Sequence, residues 1–227
     1  ILGIAGVAGS GQKELCEAIA GLYHVKEGTV EFKAGTGFEN IVGCKPDEIF
    51  KKGVSLAFVP EDRLGMGLVG SLDMVDNMLI RSYKNNKGPL VDRKTPKQVC
   101  DELIEALEIV TPGTSTPVRR LSGGNVQKVL LGREIHYNPK VLMVAYPVRG
   151  LDINSSFKIY DLLNEQKKKG VAVLFVGEDL DVLMEISDRI MVLCGGAVSG
   201  IVDPRTATKE DVGLLMVHAG GEKEAKA

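Results

Sequence analysis

The segment Gly6–Leu15, GVAGSGQKEL, has the glycine spacing of a loop that wraps phosphate. Such loops follow G-x-x-x-x-G-K-S/T between a strand and a helix. The glycines let backbone N–H groups close on phosphate oxygens, the lysine pairs with the terminal phosphates, and the hydroxyl holds Mg²⁺. Gly6 and Gly11 match, and Gly9 and Ser10 fill the loop between them. Gln12, however, stands where the lysine belongs, and Lys13 stands where the hydroxyl belongs. In a chain with 27 glycines, three at fixed offsets recur by chance. Taken alone, the segment reads equally well as a tight strand-to-helix turn.

A second stretch, LSGGNVQKVLLGRE from Leu121, is much harder to obtain by chance. Ser122 is a helix N-cap that also offers a hydroxyl donor, and Gly123 and Gly124 leave the backbone bare enough for a phosphate to approach. Asn125 closes the run ahead of an apolar helical pattern. A helix entry of this kind presents N–H groups and the positive end of the macrodipole to an anion.

The elements that must position these groups are short β-branched apolar runs alternating with amphipathic stretches. The runs are ILGIAGV (1–7), GVSLAFVP (53–60), KVLMVAYP (140–147), VAVLFVG (171–177) and RIMVLCGG (189–196). They are apolar on both faces, as strands covered by helices on each side must be. KELCEAIAGL, NVQKVLLGREIHY and SSFKIYDLLNEQKKK read as helices between them. The alternation predicts an α/β protein with a mostly parallel sheet and right-handed crossovers. It breaks over 62–120, where helical segments near 73–82 and 95–109 are joined by NNKGP and TPGTSTP, so this stretch reads as a helical insertion on the core. GTVEFKA (28–34) reads as a polar-alternating strand at a sheet edge.

The chain has 227 residues, 44% of them hydrophobic and 26% charged, which suits one globular domain with a small subdomain. A net charge of −2 gives no electrostatic reason to expect nucleic acid or an anionic membrane as partner. Cys16, Cys44, Cys100 and Cys194 are scattered, without C-x-x-C or histidine at ligand spacing, and read as reduced thiols of a cytosolic protein rather than a metal site. There is no membrane-length apolar run and no signal-peptide pattern. Ile1 already lies in an apolar strand, so the chain reads as a piece of a longer polypeptide. Residues 220–227 read as a solvated, flexible tail.

The order of motifs is more telling than any one of them. After the glycine loop come VPEDR (59–63), LSGG, a strand ending AYPVRGLD (145–152), a strand ending VGEDLD (176–181), and SDRIMVL (187–193). This order resembles the nucleotide-binding domain of ABC transporters over nearly the whole chain. Within that superfamily, GVAGSGQKEL, VPEDR, LSGGN, PVRGLD, EDLD and the closing VDPRTATKEDVGLLM are similar to the second ATPase half of tandem proteins that energise simple-sugar and nucleoside importers. The closing segment leans toward the nucleoside branch.

The resemblance implies a P-loop core over 1–61 and 121–219, a helical subdomain over about 62–120, and a truncated N-terminal antiparallel part that leaves GTVEFKA poorly supported. It makes Gly6, Gly9, Ser10, Gly11, Gln12 and Lys13 the nucleotide loop, and Glu61 the Q-loop position. Leu121, Ser122, Gly123, Gly124 and Asn125 become a signature that acts in trans, and Gly150, Leu151 and Asp152 the D-loop.

At the catalytic positions the resemblance expects an aspartate, a glutamate and a histidine, and the chain has Ala145, Tyr146 and Glu178 instead. Efficient hydrolysis needs those groups, so the chain's own site is expected to be degenerate: weak for ATP, doubtful for Mg²⁺, with Mg²⁺ expected at the partner site. The implied partners are another ATPase half, N-terminal in the same polypeptide, transmembrane permease subunits, and indirectly a substrate-binding protein. The implied location is the inner face of the cell membrane, peripheral and cytoplasmic. A soluble ABC ATPase without a membrane partner, or a non-hydrolysing regulatory or scaffold domain, are the alternatives.

Overall fold

A computed structural model describes residues 1–34, 37–83 and 90–218. The tail expected at 220–227 and the NNKGP connection lie outside the described residues.

The chain divides into two compact units. The first comprises 1–58, 139–146 and the chain from 160 onward. Its frame is a six-stranded sheet of order β4-β5-β6-β1-β7-β8. The strands are β1 (Leu2–Gly6), β4 (Leu56–Val59), β5 (Val141–Ala145), β6 (Ala172–Val176), β7 (Arg189–Cys194) and β8 (Ala197–Val202). β5, β6, β1 and β7 run parallel, and β8 returns antiparallel to β7. All five apolar runs thus become strands of this sheet, β1, β4, β5, β6 and β7, and Ile4, Leu142, Met143, Val144 and Phe175 are all but fully buried. Each such side chain contributes roughly 1.5–3 kcal/mol when taken out of water. The register sets Val176 beside both Ala145 and Ile4, so β5 and β6 end level and β1 runs two residues further. Loops at the C-terminal ends of parallel strands are where α/β folds build sites.

The helices of this unit are α1 (Gln12–Ile19), α2 (Pro46–Lys51), α7 (Leu180–Ile186), α8 (Lys209–Val217) and the later part of α6 (Ile153–Lys168). GTVEFKA does not edge the main sheet. Its strand β2 (Glu31–Ala34) pairs with β3 (Gly37–Asn40) in a separate antiparallel hairpin. It has support of its own, since Val30 and Phe32 pack on a small apolar cluster of Ile41, Ile49 and Val54.

The second unit comprises 59–138 and 147–159. It holds α3 (Met74–Ser82), α4 (Lys94–Ala106), α5 (Gly123–His136), a π-helical turn Arg63–Gly67 and a short 3₁₀ turn Val118–Arg120. Among the described residues, none from 62–120 joins the six-stranded sheet. α3 is capped by Asp73, which accepts the Asp76 N–H at 2.8 Å. α4 ends three residues before the expected 109, and Glu108 beyond it takes a left-handed φ of 49°. The π-helical turn is anchored on α5, where buried Arg133 donates Nη2–H to the Gly67 carbonyl at 2.7 Å and Nε–H to Glu134 at 2.8 Å.

Candidate nucleotide loop and signature helix

The loop after β1 folds as the glycine spacing requires. Gly9 and Gly11 take φ of 84° and 100°, a left-handed region that side chains rarely adopt. Gly11 is the N-cap of α1, with no side chain capping it. The Ser10 N–H closes a turn onto the Val7 carbonyl at 3.1 Å, and the Ser10 carbonyl accepts the Gly196 N–H at 3.2 Å. Ser10 is buried.

What the sequence leaves open is where the two replaced side chains go. Gln12 is 3% exposed, and its Nε2–H donates to the same Val7 carbonyl at 3.0 Å. Val7 therefore takes two donors, one from the backbone and one from the amide, and the loop is tied to itself. Gly6 is glycine for this reason: a Cβ there would stand 2.6 Å from Gln12 Nε2 and 2.7 Å from the Leu193 carbonyl. Lys13 turns the other way. Its side chain is 68% exposed, and Nζ stands 3.8 Å from Glu17 Oε1 one turn along α1. The charge expected near a metal instead lies along the solvent face of the helix.

The ends of the neighbouring strands carry no acid at the two positions singled out. Ala145 is buried in a cluster with Ile4, Cys16, Val176 and Leu193. Tyr146 packs against that cluster and donates its N–H to the Val176 carbonyl at 2.9 Å. Its φ of 50° is left-handed for a residue with a side chain, a strain of about 1–2 kcal/mol. Glu178 is exposed on the bend between β6 and α7. Neither the Ala145 methyl group nor the Lys13 ammonium offers Mg²⁺ an oxygen, which it takes from carboxylate, hydroxyl or water. Cys16 beneath the loop is inert, its thiol pushed up to about 12, chiefly by burial and then by the Glu17 carboxylate.

The other candidate lies wholly in the second unit. Ser122 caps α5, two residues earlier than the apolar pattern marks, with Oγ 3.4 Å from the Asn125 N–H and 3.0 Å from Asn125 Nδ2. Asn125 Oδ1 in turn accepts the Val110 N–H at 2.9 Å, so the first turn of α5 is fixed from two sides. Leu121 leads in and is half-buried. Gly123 is exposed, and a Cβ built there would stand 3.3 Å from Arg63 Nη1. One at Gly124 would stand 3.3 Å from Ser155 Oγ. A cavity of about 460 Å³ opens here, lined by Glu61, Arg63, Leu121, Gly123, Val126 and Arg149 among others. Burial lowers the Arg63 guanidinium below its ordinary value, but a guanidinium stays charged.

Glu61, at the Q-loop position, is paired with Arg149. Gly150 turns at φ 70°. Asp152 then caps α6, accepting the Ser155 N–H at 2.9 Å and the Ser155 hydroxyl at 2.7 Å. Those two bonds, the backbone one first, hold its carboxyl below the usual carboxylate range. Arg63 and Arg149 were not singled out by sequence reasoning, although both lie within quoted motifs. The signal available was opposite charge at 61 and 149, which is uninformative across 88 residues without the fold.

Residues 1–147 match the family model described as ABC transporter. This chain belongs to the ABC transporter family. It is 36% identical over 220 residues to the nucleoside import ATP-binding protein NupA of Lactococcus lactis subsp. cremoris (strain MG1363), covering 96% of this chain and 42% of that protein. It is also 36% identical over 215 residues to the galactose/methyl galactoside import ATP-binding protein MglA of Escherichia coli (strain K12), covering 93% of this chain and 41% of that one. The chain thus spans well under half the length of these relatives. The ABC fold is shared with solved structures. A dimeric bacterial ABC transporter cassette superposes at a TM-score of 0.76 with 23% identity, over 91% of this chain and 86% of that one. A nucleotide-free ATP-binding cassette from an ABC transporter superposes at 0.74 with 20% identity, over 95% and 83%.

Proposed function

We propose that this chain is the second, nucleotide-degenerate half of the ATPase that drives an ABC importer for nucleosides or simple sugars. In this reading, residues 1–219 form one nucleotide-binding domain with its helical subdomain over about 62–120. Its signature, Leu121–Asn125, closes over ATP held by a complete loop on the partner half, and Mg²⁺ and the hydrolytic groups belong to that partner. The partner half precedes this one in the same polypeptide. Permease subunits hold the pair at the cytoplasmic face of the membrane, and a substrate-binding protein delivers the cargo.

The importer class is supported by the names of the relatives, and the tandem arrangement by their length. The division of labour is carried by one observation: Gln12, at the position of the phosphate-binding lysine, is buried and bonded to Val7. A charge-assisted hydrogen bond to phosphate is worth about 1.5–3 kcal/mol, so its loss weakens ATP binding by roughly 10- to 150-fold. The helix N-terminus is still able to hold an anion, although the Ser10 N–H is already taken by Val7.

Calorimetric titration of ATP into this chain, with and without Mg²⁺, tests the reading. The expected dissociation constant is above about 100 µM, shifting by less than about 3-fold with the metal. Micromolar, strongly Mg²⁺-dependent binding would overturn it.

A further inference from the structure

Two segments far apart in sequence are fastened to each other twice, and in opposite senses. The Arg149 side chain donates Nη1–H to the Glu61 carboxylate, and the Arg63 side chain donates Nη2–H to the Arg149 carbonyl. One link runs from 149 to 61, and the other from 63 back to 149. A single exposed ion pair fixes only a distance and contributes little. Two crossed links, one from each of two guanidinium groups, also fix orientation. The base of the arrangement is firm. Arg63 opens the π-helical turn, in which Asp62 accepts the Gly65 N–H at 2.8 Å, and Arg133 on α5 holds the far end through Gly67.

What is fastened is the turn 147–150, and it leads straight to the groups around the signature glycines. The Leu151 N–H closes the turn onto the Val148 carbonyl at 3.0 Å, and Asp152 then holds Ser155. Ser155 Oγ and Leu151 Cδ2 flank Gly124, at 3.3 and 3.9 Å from a built Cβ, while Arg63 flanks Gly123.

We propose that Glu61, Arg63 and Arg149 are positioning residues, a two-point latch that sets the Gly150–Asp152 turn and Ser155 against the signature glycines. Glu61 then acts through Arg149, as the anchor of that turn. The functional part of this inference rests on the reading that the signature serves a partner's nucleotide; the latch itself does not.

Hydrogen exchange of this chain without nucleotide tests the latch directly. In Arg149→Ala and Arg63→Ala, the amides of Leu151 and Ser155 exchange about 3- to 10-fold faster, while the urea midpoint of the whole chain stays put. The charge exchange Glu61→Arg/Arg149→Glu restores their protection to within about 2-fold. Raising salt speeds these amides in the wild type and not in Arg149→Ala, because only an ion pair is screened. Unchanged exchange in both alanine variants, or an exchange of charges that restores nothing, overturns the latch. In the ATP-hydrolysing assembly, Arg149→Ala lowers kcat about 3- to 10-fold at unchanged KM for ATP, as expected of misplacement. An intact kcat overturns the positioning role. If Gly123→Asp also leaves turnover intact, the reading of the signature has failed instead, and the exchange data still decide the latch.

Discussion

The loop at Gly6–Lys13 and the helix entry at Leu121–Asn125 use the same backbone device and differ in what surrounds it. Both present a helix N-terminus behind small residues. In the first, the N-cap is a glycine in left-handed conformation, and the long side chain that follows folds inward onto Val7. In the second, the cap is a serine, and the glycines stay bare while Arg63 and Ser155 are brought beside them from other segments. A helix N-terminus is generic. The side chains decide whether it is closed on itself or kept open to something else.

The sharpest way to break that contrast is to fill the open site. Gly123→Asp sets a carboxylate within reach of Arg63 Nη1 and in the path of any phosphate approaching the helix end. Aspartate in the first turn suits the helix dipole, so the chain should fold as well as before. Turnover by the assembled ATPase should fall more than about 100-fold, read as phosphate release. Wild-type turnover in a correctly assembled variant would show that the open site serves no nucleotide.

The converse change opens the closed site. Gln12→Lys should tighten ATP binding by this chain about 10- to 150-fold in calorimetry, and on the proposed reading it should bring no hydrolysis, because Ala145 and Tyr146 are unchanged. No gain in affinity would place the obstruction elsewhere in the loop.

Ser122→Ala sharpens the comparison by trimming rather than blocking. It removes a cap worth about 0.5–1 kcal/mol, seen as a lower urea midpoint, and should reduce turnover by less than about 10-fold, since the glycines and the helix end remain. Gln12→Ala should be the mildest of the series, within about 2-fold of wild-type turnover, because in the proposed reading the loop it relaxes is not the one that hydrolyses. If Gln12→Ala stopped turnover while Gly123→Asp did not, the two regions would have to exchange roles.

The order of these elements was readable because burial on both faces writes itself into β-branched runs such as KVLMVAYP, and because glycines at a turn have few substitutes. Other parts left weaker traces. Strand β3 is exposed throughout and carries no alternation to read. Helix α8 announced itself only through its capping box, in which Thr208 and Asp211 bond reciprocally, a T-x-x-D signal that the surrounding KEDVGLLMV pattern obscures. The π-helical turn has no local signature at all. In the two candidate sites, the sequence marked the glycines, the cap and the replaced side chains and left their directions open. That Gln12 turns inward while Lys13 turns out depends on the Val7 carbonyl and on Glu17, and the pairing of Glu61 with Arg149 exists only once the fold has joined them.

The inward amide of Gln12 also bears on how this protein endures scarcity. A site completed by its ligand lends that ligand's binding energy to the folded state, by RT ln(1 + [L]/Kd), or about 2.7 kcal/mol at a hundredfold excess over Kd. A loop already completed by Gln12 and Val7 gains almost none of this. Its melting temperature should therefore be nearly indifferent to ATP, and this chain should persist through energy depletion on its own internal bonds.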